Sequence, residues 1–248
     1  MKRIFILIFC ALTSIISFAQ FNTFTFLDTP RGLKSELKKL LLNEIKEHNQ
    51  IRIKNGHLQG FDIWETMNAA SKIEFILVHS YSDLNNMHKS RSLSDNLKLS
   101  SDESEKLRST WRTCTTDNTY RIVTKSIAFR NKLDKLPNIA RINMFKTVNN
   151  KMRTKWIEGH KKFADIFITG NNDAWGSASV IFKPYRIKYN HITVDFSDSK
   201  NLASYLMEKK VSFSQTDDFK KYWTDSSGKR IGGNKIRTMV NQVFAKKL

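Results

Sequence analysis

Hydrophobic residues recur along the chain with two different spacings, and these spacings predict both helices and strands. Spacings of three and four residues predict an amphipathic helix over about 31–48, with an apolar face formed by Leu33, Leu37, Leu40, Leu41 and Ile45. Residues 72–80 contain four consecutive apolar residues, a pattern typical of a buried central strand. The first third of the chain therefore combines a helix with a strand.

Shorter patterns predict the remaining elements. Alternating apolar positions and turn residues indicate strands at 20–28, 118–130, 163–169, 177–182 and 187–196. Helical spacing indicates helices at 61–70, 101–110, 139–156, 199–210, 216–224 and 234–247. Ser100 and Glu103 have the spacing of a capping box, which places the start of the second of these helices.

The order of these elements predicts the fold class. Strands and helices mix without a regular βαβ alternation, and this favours an α+β fold. We predict a single mixed or antiparallel sheet with flanking helices and an N-terminal helical extension. The extension would comprise residues 20–60 and the α+β domain residues 61–248, and the sequence shows no internal repeat.

The N-terminus has the features of a targeting segment. Lys2 and Arg3 precede an almost uninterrupted apolar run over 4–18, and Ser17 and Ala19 are the small residues that signal peptidase requires. Residues 1–19 are therefore predicted to be a signal peptide, and an uncleaved anchor is the alternative. No later stretch is long enough to span a membrane, so we expect a periplasmic or extracellular protein.

The net charge of the chain indicates which kinds of macromolecule it could bind. The 248 residues include 42 Lys and Arg against 23 Asp and Glu, a formal net charge of +19. Such a chain attracts anionic macromolecules, which could be nucleic acid, an envelope polymer or an acidic protein. The composition excludes collagen-like and fully disordered chains, and only two cysteines exclude a disulfide-stapled miniprotein.

Two clusters of basic residues have aromatic residues between or beside them. The first contains Lys151, Arg153, Lys155 and Lys161, and the second contains Lys220, Lys221, Arg230 and Arg237. Basic side chains neutralise phosphates and aromatic rings stack on bases, so these clusters predict binding of nucleic acid or another anion. The alternative is a solvated helix face whose aromatic residues point into the core.

The sequence contains few candidates for metal ligands or for a catalytic nucleophile. Its six histidines form no HExxH motif, and no CxxC pair exists, so we expect no metal site. Cys114 lies near Arg112, which could lower the pKa of its thiol. A small buried side chain is the alternative role for this cysteine.

Residues 175–199 combine several local features in a predicted pair of strands. Trp175 and Gly176 open the first strand, a Lys-Pro pair ends it, and Ser197-Asp198-Ser199 ends the second. This arrangement resembles bacterial toxin-like domains of the ADP-ribosyltransferase group, in which Gly-Asp-Ser stands at the last position. The resemblance implies a split sheet that grips NAD.

The same resemblance implies which residues would bind NAD. Val78-His79-Ser80 ends the 72–80 strand and is similar to the strand end that holds the nicotinamide ribose. His79 and Ser80, together with Trp175 and Gly176, would then contact the cofactor.

The implied catalytic residues are His79, Tyr120 and a late acid. Tyr120 would pack on the nicotinamide, and Asp195 or Asp198 would stabilise the positive charge that builds on the ribose as the bond to nicotinamide breaks. An exported NAD-using toxin-like protein is thus the first functional hypothesis. The alternatives are an exported nuclease or nucleic-acid-binding protein, and a non-enzymatic envelope protein that binds an anionic polymer.

Overall fold

A computed structural model describes residues 20–67, 72–89, 92–133, 135–168, 173–198, 217–224 and 237–248. The strands are β1 Phe21–Asp28, β2 Gly60–Thr66, β3 Ile73–Tyr81, β4 Tyr120–Asn131, β5 Ile139–Thr147, β6 Ala174–Phe182, β7 His191–Ser197 and β8 Arg237–Lys247. The helices are α1 Lys34–Leu40, α2 Lys46–Lys54, α3 Leu93–Leu97, α4 Ser101–Cys114, α5 Asn150–Lys162 and α6 Asp217–Tyr222. A π-helical turn, Leu41–Ile45, joins α1 to α2, and 3₁₀ turns occupy Leu84–His88 and Ala164–Phe167.

The strands close into an antiparallel barrel in the order β1-β3-β2-β8-β5-β7-β6-β4. Each half of the chain contributes a βαββαβ unit, whose four strands lie in the order fourth, first, third, second. The two units join edge to edge, through β2 with β8 and through β4 with β6. Joining the edges leaves none of the eight described strands with an unpaired edge.

Alternation of side chains along each strand creates two kinds of core. One face of every strand points into the barrel, where large apolar side chains such as Phe26, Ile76, Ile142 and Met144 pack together. The opposite face of the first half packs against α1, the π-helical turn and α4. The layer between helices and sheet is where a ligand site can form without opening the barrel.

The predicted fold class is wrong, because the strands form a closed barrel and no single open sheet exists among the described residues. The segment expected to be a helical extension supplies β1, which pairs with both β3 and β4. A repeat that is not visible in the sequence is present as two units of the same architecture. No helix in the described part of the chain is long and apolar enough to cross a membrane.

Several predicted elements are confirmed and four are wrong. The strands at 20–28, 72–80, 118–130, 177–182 and 187–196 and the helices at 31–48, 101–110 and 216–224 are present with shifted bounds. The predicted helices at 61–70 and 234–247 are strands β2 and β8, the predicted helix at 139–156 is β5 followed by α5, and the predicted strand at 163–169 contains a 3₁₀ turn. The helix predicted at 199–210 and the signal peptide lie outside the described residues.

Candidate functional site

A cleft of about 500 Å³ lies between the helices and the outer face of the sheet in the first half of the chain. Strand β3 directs alternate side chains into it, and α2 and α4 provide the opposite walls. The apolar part of its surface includes Ile45, Leu77, Tyr81, Met87, Leu107 and Trp111. We call this space the first-half cleft.

The polar part of the first-half cleft is cationic. Four arginines line it, and no Asp or Glu is among the described residues that do so; the arginines are Arg52, Arg108, Arg112 and Arg121. Two histidines, His48 and His79, also line it. An apolar wall with several positive charges is suited to a ligand that has an apolar body and anionic groups.

Arg52 is the most unusual of these arginines, because its side chain is buried at 4% exposure. Its Nη1 donates to Asn49 Oδ1 and its Nη2 to the Lys89 carbonyl oxygen, both at 3.4 Å, whereas its Nε has no hydrogen-bond partner among the described residues. No carboxylate in the described part of the chain forms an ion pair with it. A buried guanidinium without a counter-charge is costly, and an anionic ligand would offset that cost.

His48 lies one turn before Arg52 on α2 and is buried. Its Nδ1 is 3.1 Å from the side-chain nitrogen of Asn96. Burial, and next the positive charge of Arg52, lowers the pKa of His48 to about 4. The imidazole is therefore neutral near pH 7, which is the form that binds metals.

The predicted site residue His79 lies in the wall of the same cleft. Its Nδ1 is 3.4 Å from Thr23 Oγ1, and its ring centroid is 4.9 Å from that of Phe61. The structure thus brings His79 together with His48 and Arg52, two residues that sequence reasoning missed. Arg52 lies just beyond the predicted end of the 31–48 helix, so extending the helix would have placed both residues on one face.

Tyr120 is separated from this cleft, because it lies at one end of the barrel. Its ring stacks on Phe26 at a centroid distance of 4.7 Å, and its hydroxyl is 3.4 Å from that of Tyr189. Burial raises the pKa of Tyr120.

The two predicted acids belong to the second half of the chain. Asp195 lies on the outer face of β7, where Arg141 Nη2 and Asn143 Nδ2 donate to its Oδ2 at 2.8 and 2.9 Å. Asp198 follows β7, and its backbone N–H donates to Asp173 Oδ2 at 2.8 Å. Neither acid lines the first-half cleft with His79.

The predicted NAD-binding residues are divided among three places, since Ser80 and Gly176 line a cavity inside the barrel, His79 lines the first-half cleft, and Trp175 lies elsewhere. Ser80 Oγ donates to Asn22 Oδ1 at 2.8 Å, and the residue faces the barrel interior. Trp175 packs against Phe167 at 4.4 Å on the outside of the second half. A Cβ added at Gly176 would lie 3.3 Å from the Phe129 ring, so close packing explains the glycine.

The basic clusters occupy the second half. Lys151 and Lys161 are exposed on α5, whereas Arg153 and Lys155 on the same helix are half-buried. Lys220 and Lys221 are exposed on α6, and Arg230 lies outside the described residues.

Arg237 differs from the other members of its cluster because it is packed. Its guanidinium carbon lies 3.7 Å from the ring centroid of Phe145 and 3.9 Å from that of Trp156. Burial lowers the pKa of Arg237 to about 10.

Neither a metal cluster nor an activated thiol is found in the part of the chain that the structure describes. Over the described ranges no group of three or more His, Cys, Asp and Glu side chains could hold a metal ion. Cys114 is fully buried, and burial, followed by the charge of Glu36, raises the pKa of its thiol. A raised thiol pKa is the opposite of what a nucleophile needs.

Comparison with known proteins identifies the fold alone. No family model and no curated protein matches the chain. A solved structure of a candidate monooxygenase from Fusobacterium nucleatum matches with a TM-score of 0.56 and 12% identity, covering 92% of this chain and 91% of that one. A candidate monooxygenase from Lactobacillus acidophilus matches with a TM-score of 0.52 and 9% identity, covering 92% of this chain and 93% of that one. An anthrone oxidase-like protein matches with a TM-score of 0.50 and 7% identity, covering 92% of this chain and 90% of that one.

These matches and the closed barrel overturn the first functional hypothesis. The ADP-ribosyltransferase resemblance is wrong, since the fold is a barrel that this chain shares with proteins described as monooxygenases or oxidase-like. The prediction of NAD as cofactor and the toxin-like description both followed from that resemblance, and both are wrong. The nuclease hypothesis has no support. Export and an anionic macromolecular partner stay predictions. The chain has its fold in common with the three solved structures.

Proposed function

We propose that this chain is a heme-binding oxidoreductase whose heme lies in the first-half cleft. The observation that carries the proposal is the buried guanidinium of Arg52, which forms no ion pair with any described residue and lies in an apolar cleft lined by no described carboxylate. The descriptions of the three similar structures support oxygen chemistry, without naming a substrate for this chain.

The residues of the cleft fit a heme in their chemistry. Heme is a largely apolar ring with two carboxylates, and the cleft combines apolar walls with arginines. Its volume of about 500 Å³ lies within the usual range for ligand pockets. Bound heme would supply redox chemistry at its iron.

Each polar residue has a distinct part in holding such a group. Arg52, and the more exposed Arg108 and Arg112, would pair with the carboxylates. The His48 imidazole is neutral, and in its contact with Asn96 the amide Nδ2 donates to Nδ1, so the ring proton is on Nε2. Turning the Asn96 amide so that its oxygen accepts from Nδ1–H would free Nε2 for the iron. The apolar walls would exclude water from the ring.

Hemin titration of the purified full chain tests this proposal. We expect a saturable shift of the Soret band at one hemin per chain. Arg52→Gln should weaken binding at least about tenfold, the equivalent of about 1.4 kcal/mol, because it removes the buried charge. His48→Ala should change the spectrum, whereas His88→Ala is the matched control, since His88 is exposed on a nearby turn and does not line the cleft.

Metal-free protoporphyrin separates the iron ligand from the carboxylate contacts. Arg52→Gln should weaken its binding, and His48→Ala should leave it unchanged. Circular dichroism and thermal midpoints establish that each variant is folded. Absence of saturable hemin binding to the folded wild-type chain, or equal loss in His88→Ala, would contradict the proposal.

A further inference from the structure

Large apolar side chains are exposed at the end of the barrel where β5 and β6 end and β7 begins. Strand β6 ends at Phe182, which is 68% exposed, and Tyr185 in the loop that follows is 97% exposed. Ile181, next to Phe182, and Val148, which follows β5, are exposed as well. We call these four side chains the apolar tip. Exposed apolar groups that are close together often mark a surface that binds a partner.

The loops that carry the apolar tip are held by hydrogen bonds. The Thr147 N–H donates to Asn190 Oδ1 at 3.0 Å, and Asn190 Nδ2 donates to Thr147 Oγ1 at 2.9 Å, so the β6–β7 loop is joined to the end of β5. On its other side, Arg186 Nη2 donates to the carbonyl oxygens of Asp117 and Thr119. The tip is therefore a formed surface, and little ordering is needed when it binds.

Cations surround the apolar tip. Lys146 and Lys188 are exposed, and Lys188 Nζ lies 5.4 Å from the centroid of the Tyr185 ring. Burial, and next the positive charges of Lys146, Lys188 and Arg153, lowers the pKa of Lys183, which shows that these four cations lie near one another. Within the described part of the chain none of the four forms an ion pair with a carboxylate. The surface thus combines apolar groups with uncompensated positive charge.

This combination distinguishes among the possible partners. A second copy of the chain would bring the same cations together, and like charges facing each other oppose association. A nucleic acid would pair with the cations and stack on the two aromatic rings, but the aliphatic side chains of Ile181 and Val148 would gain nothing from it. A bilayer with anionic headgroups suits all of them, because apolar side chains enter the acyl boundary while lysines contact phosphates.

We propose that the apolar tip and its cations dock this protein on the surface of a bilayer that contains anionic phospholipid. Phe182 and Ile181 enter the boundary between headgroups and acyl chains, and Tyr185 lies at the level of the headgroups, where tyrosine is favoured. Lys146 and Lys188 contact the phosphates. The docking surface shares no residue with the first-half cleft, so it does not depend on the proposed binding of heme.

Co-sedimentation of the purified full chain with vesicles of phosphatidylcholine and phosphatidylglycerol tests the apolar side chains. The double variant Phe182→Ser/Tyr185→Ser should weaken binding at least about tenfold, because it removes two exposed rings from the bilayer. Ile53→Ser/Leu84→Ser is the matched control, since these exposed apolar residues lie in the first half, and it should bind as the wild type does. The apolar run over 4–18 is common to all variants, so their differences report on the tip.

Vesicles of phosphatidylcholine alone, which carry no net charge, test the cations. The wild type should bind them more weakly than the anionic vesicles, and high salt should remove the difference. Lys146→Gln/Lys188→Gln should weaken binding to anionic vesicles severalfold and leave binding to neutral vesicles unchanged. Its control is Lys39→Gln/Lys54→Gln, which removes two exposed lysines of the first half.

All the substituted residues are exposed, and circular dichroism establishes that each variant is folded. Wild-type binding to anionic vesicles by folded Phe182→Ser/Tyr185→Ser, or equal loss in Ile53→Ser/Leu84→Ser, would overturn the proposal. A single-stranded oligonucleotide and sedimentation velocity distinguish the other partners. If the tip variant lost oligonucleotide binding or a dimer of the chain while vesicles bound neither protein, the tip would be a nucleic-acid surface or a contact between copies.

Discussion

His48, His160 and His191 are buried as neutral imidazoles. Burial is the main reason that each ring stays neutral. It lowers the pKa of His48 and His191 to about 4 and the pKa of His160 well below its usual value. Nearby cations add to the effect, chiefly Arg52 at His48 and Arg153 at His191. In the unfolded chain the same rings take up protons near pH 6.5. Their contribution to stability is therefore complete above pH 6.5 and is lost as the pH falls towards 4.

We expect the free energy of unfolding to decrease between pH 7.5 and pH 5 by about 2 kcal/mol for each of His48 and His191. Urea denaturation at several pH values measures this slope. His191→Gln cannot titrate, so it should flatten the slope by about that amount, whereas His88→Gln at an exposed position should not. A wild-type slope near zero over this interval would show that the rings do not remain neutral in the folded protein.

Elements with strong local signals were predictable from sequence. The capping box of α4 forms as expected, since the Ser100 N–H donates to Glu103 Oε2 at 2.8 Å and the Glu103 N–H to Ser100 Oγ at 3.3 Å. Strand β8 was not predictable, because Met239, Val240 and Val243 have the spacing of a helix. The segment is a strand because it pairs with β5 and β2. Those partners are far away in the chain, and a local pattern does not contain them.

Gly159 is a position in α5 where packing, and not helix propensity, determines which residue fits. It lies inside α5, where replacing glycine by alanine ordinarily stabilises a helix by about 1 kcal/mol. A Cβ here would lie 2.5 Å from Trp223 Cζ2 and 2.9 Å from Tyr222 Cε1, so the residues at the end of α6 leave it no room. We expect Gly159→Ala to destabilise the protein by about 1–3 kcal/mol, as overpacking does.

Thermal and urea denaturation measure this effect. Thr154→Ala is the control, because Thr154 is exposed on the same helix and should change stability only slightly. A more stable Gly159→Ala variant would mean that α6 is not held against α5 in solution.

The candidate sites depend on the whole molecule, and sequence reasoning found only part of them. His79 was identified, but through a resemblance that is wrong, while Arg52 and His48 meet it only after α2 packs over β3. A cavity inside the barrel has no local signature at all, because its wall combines residues from seven strands of both halves. Contacts of this kind follow from topology, which the order of predicted elements did not reveal.

The barrel core also determines how the molecule should unfold. One apolar cluster contains residues of both halves, so neither βαββαβ unit has a complete core of its own. Ala245 lies in this cluster at 0% exposure on β8, where it is paired with Thr66 of the first half and Ala140 of the second. We expect the described strands of both halves to open together, in one cooperative transition.

Hydrogen exchange resolved by peptide measures this cooperativity. Amides of β3 and β7 should exchange with the same opening free energy. Ala245→Asp buries a carboxylate without a partner, so it should lower the opening free energy of both strands equally, by several kcal/mol. Lys246→Asp is the control on the same strand, since that side chain is exposed and should affect neither. If Ala245→Asp instead lowered protection in one half while leaving the other intact, each unit would be stable alone, and the barrel would be an assembly of two independent domains.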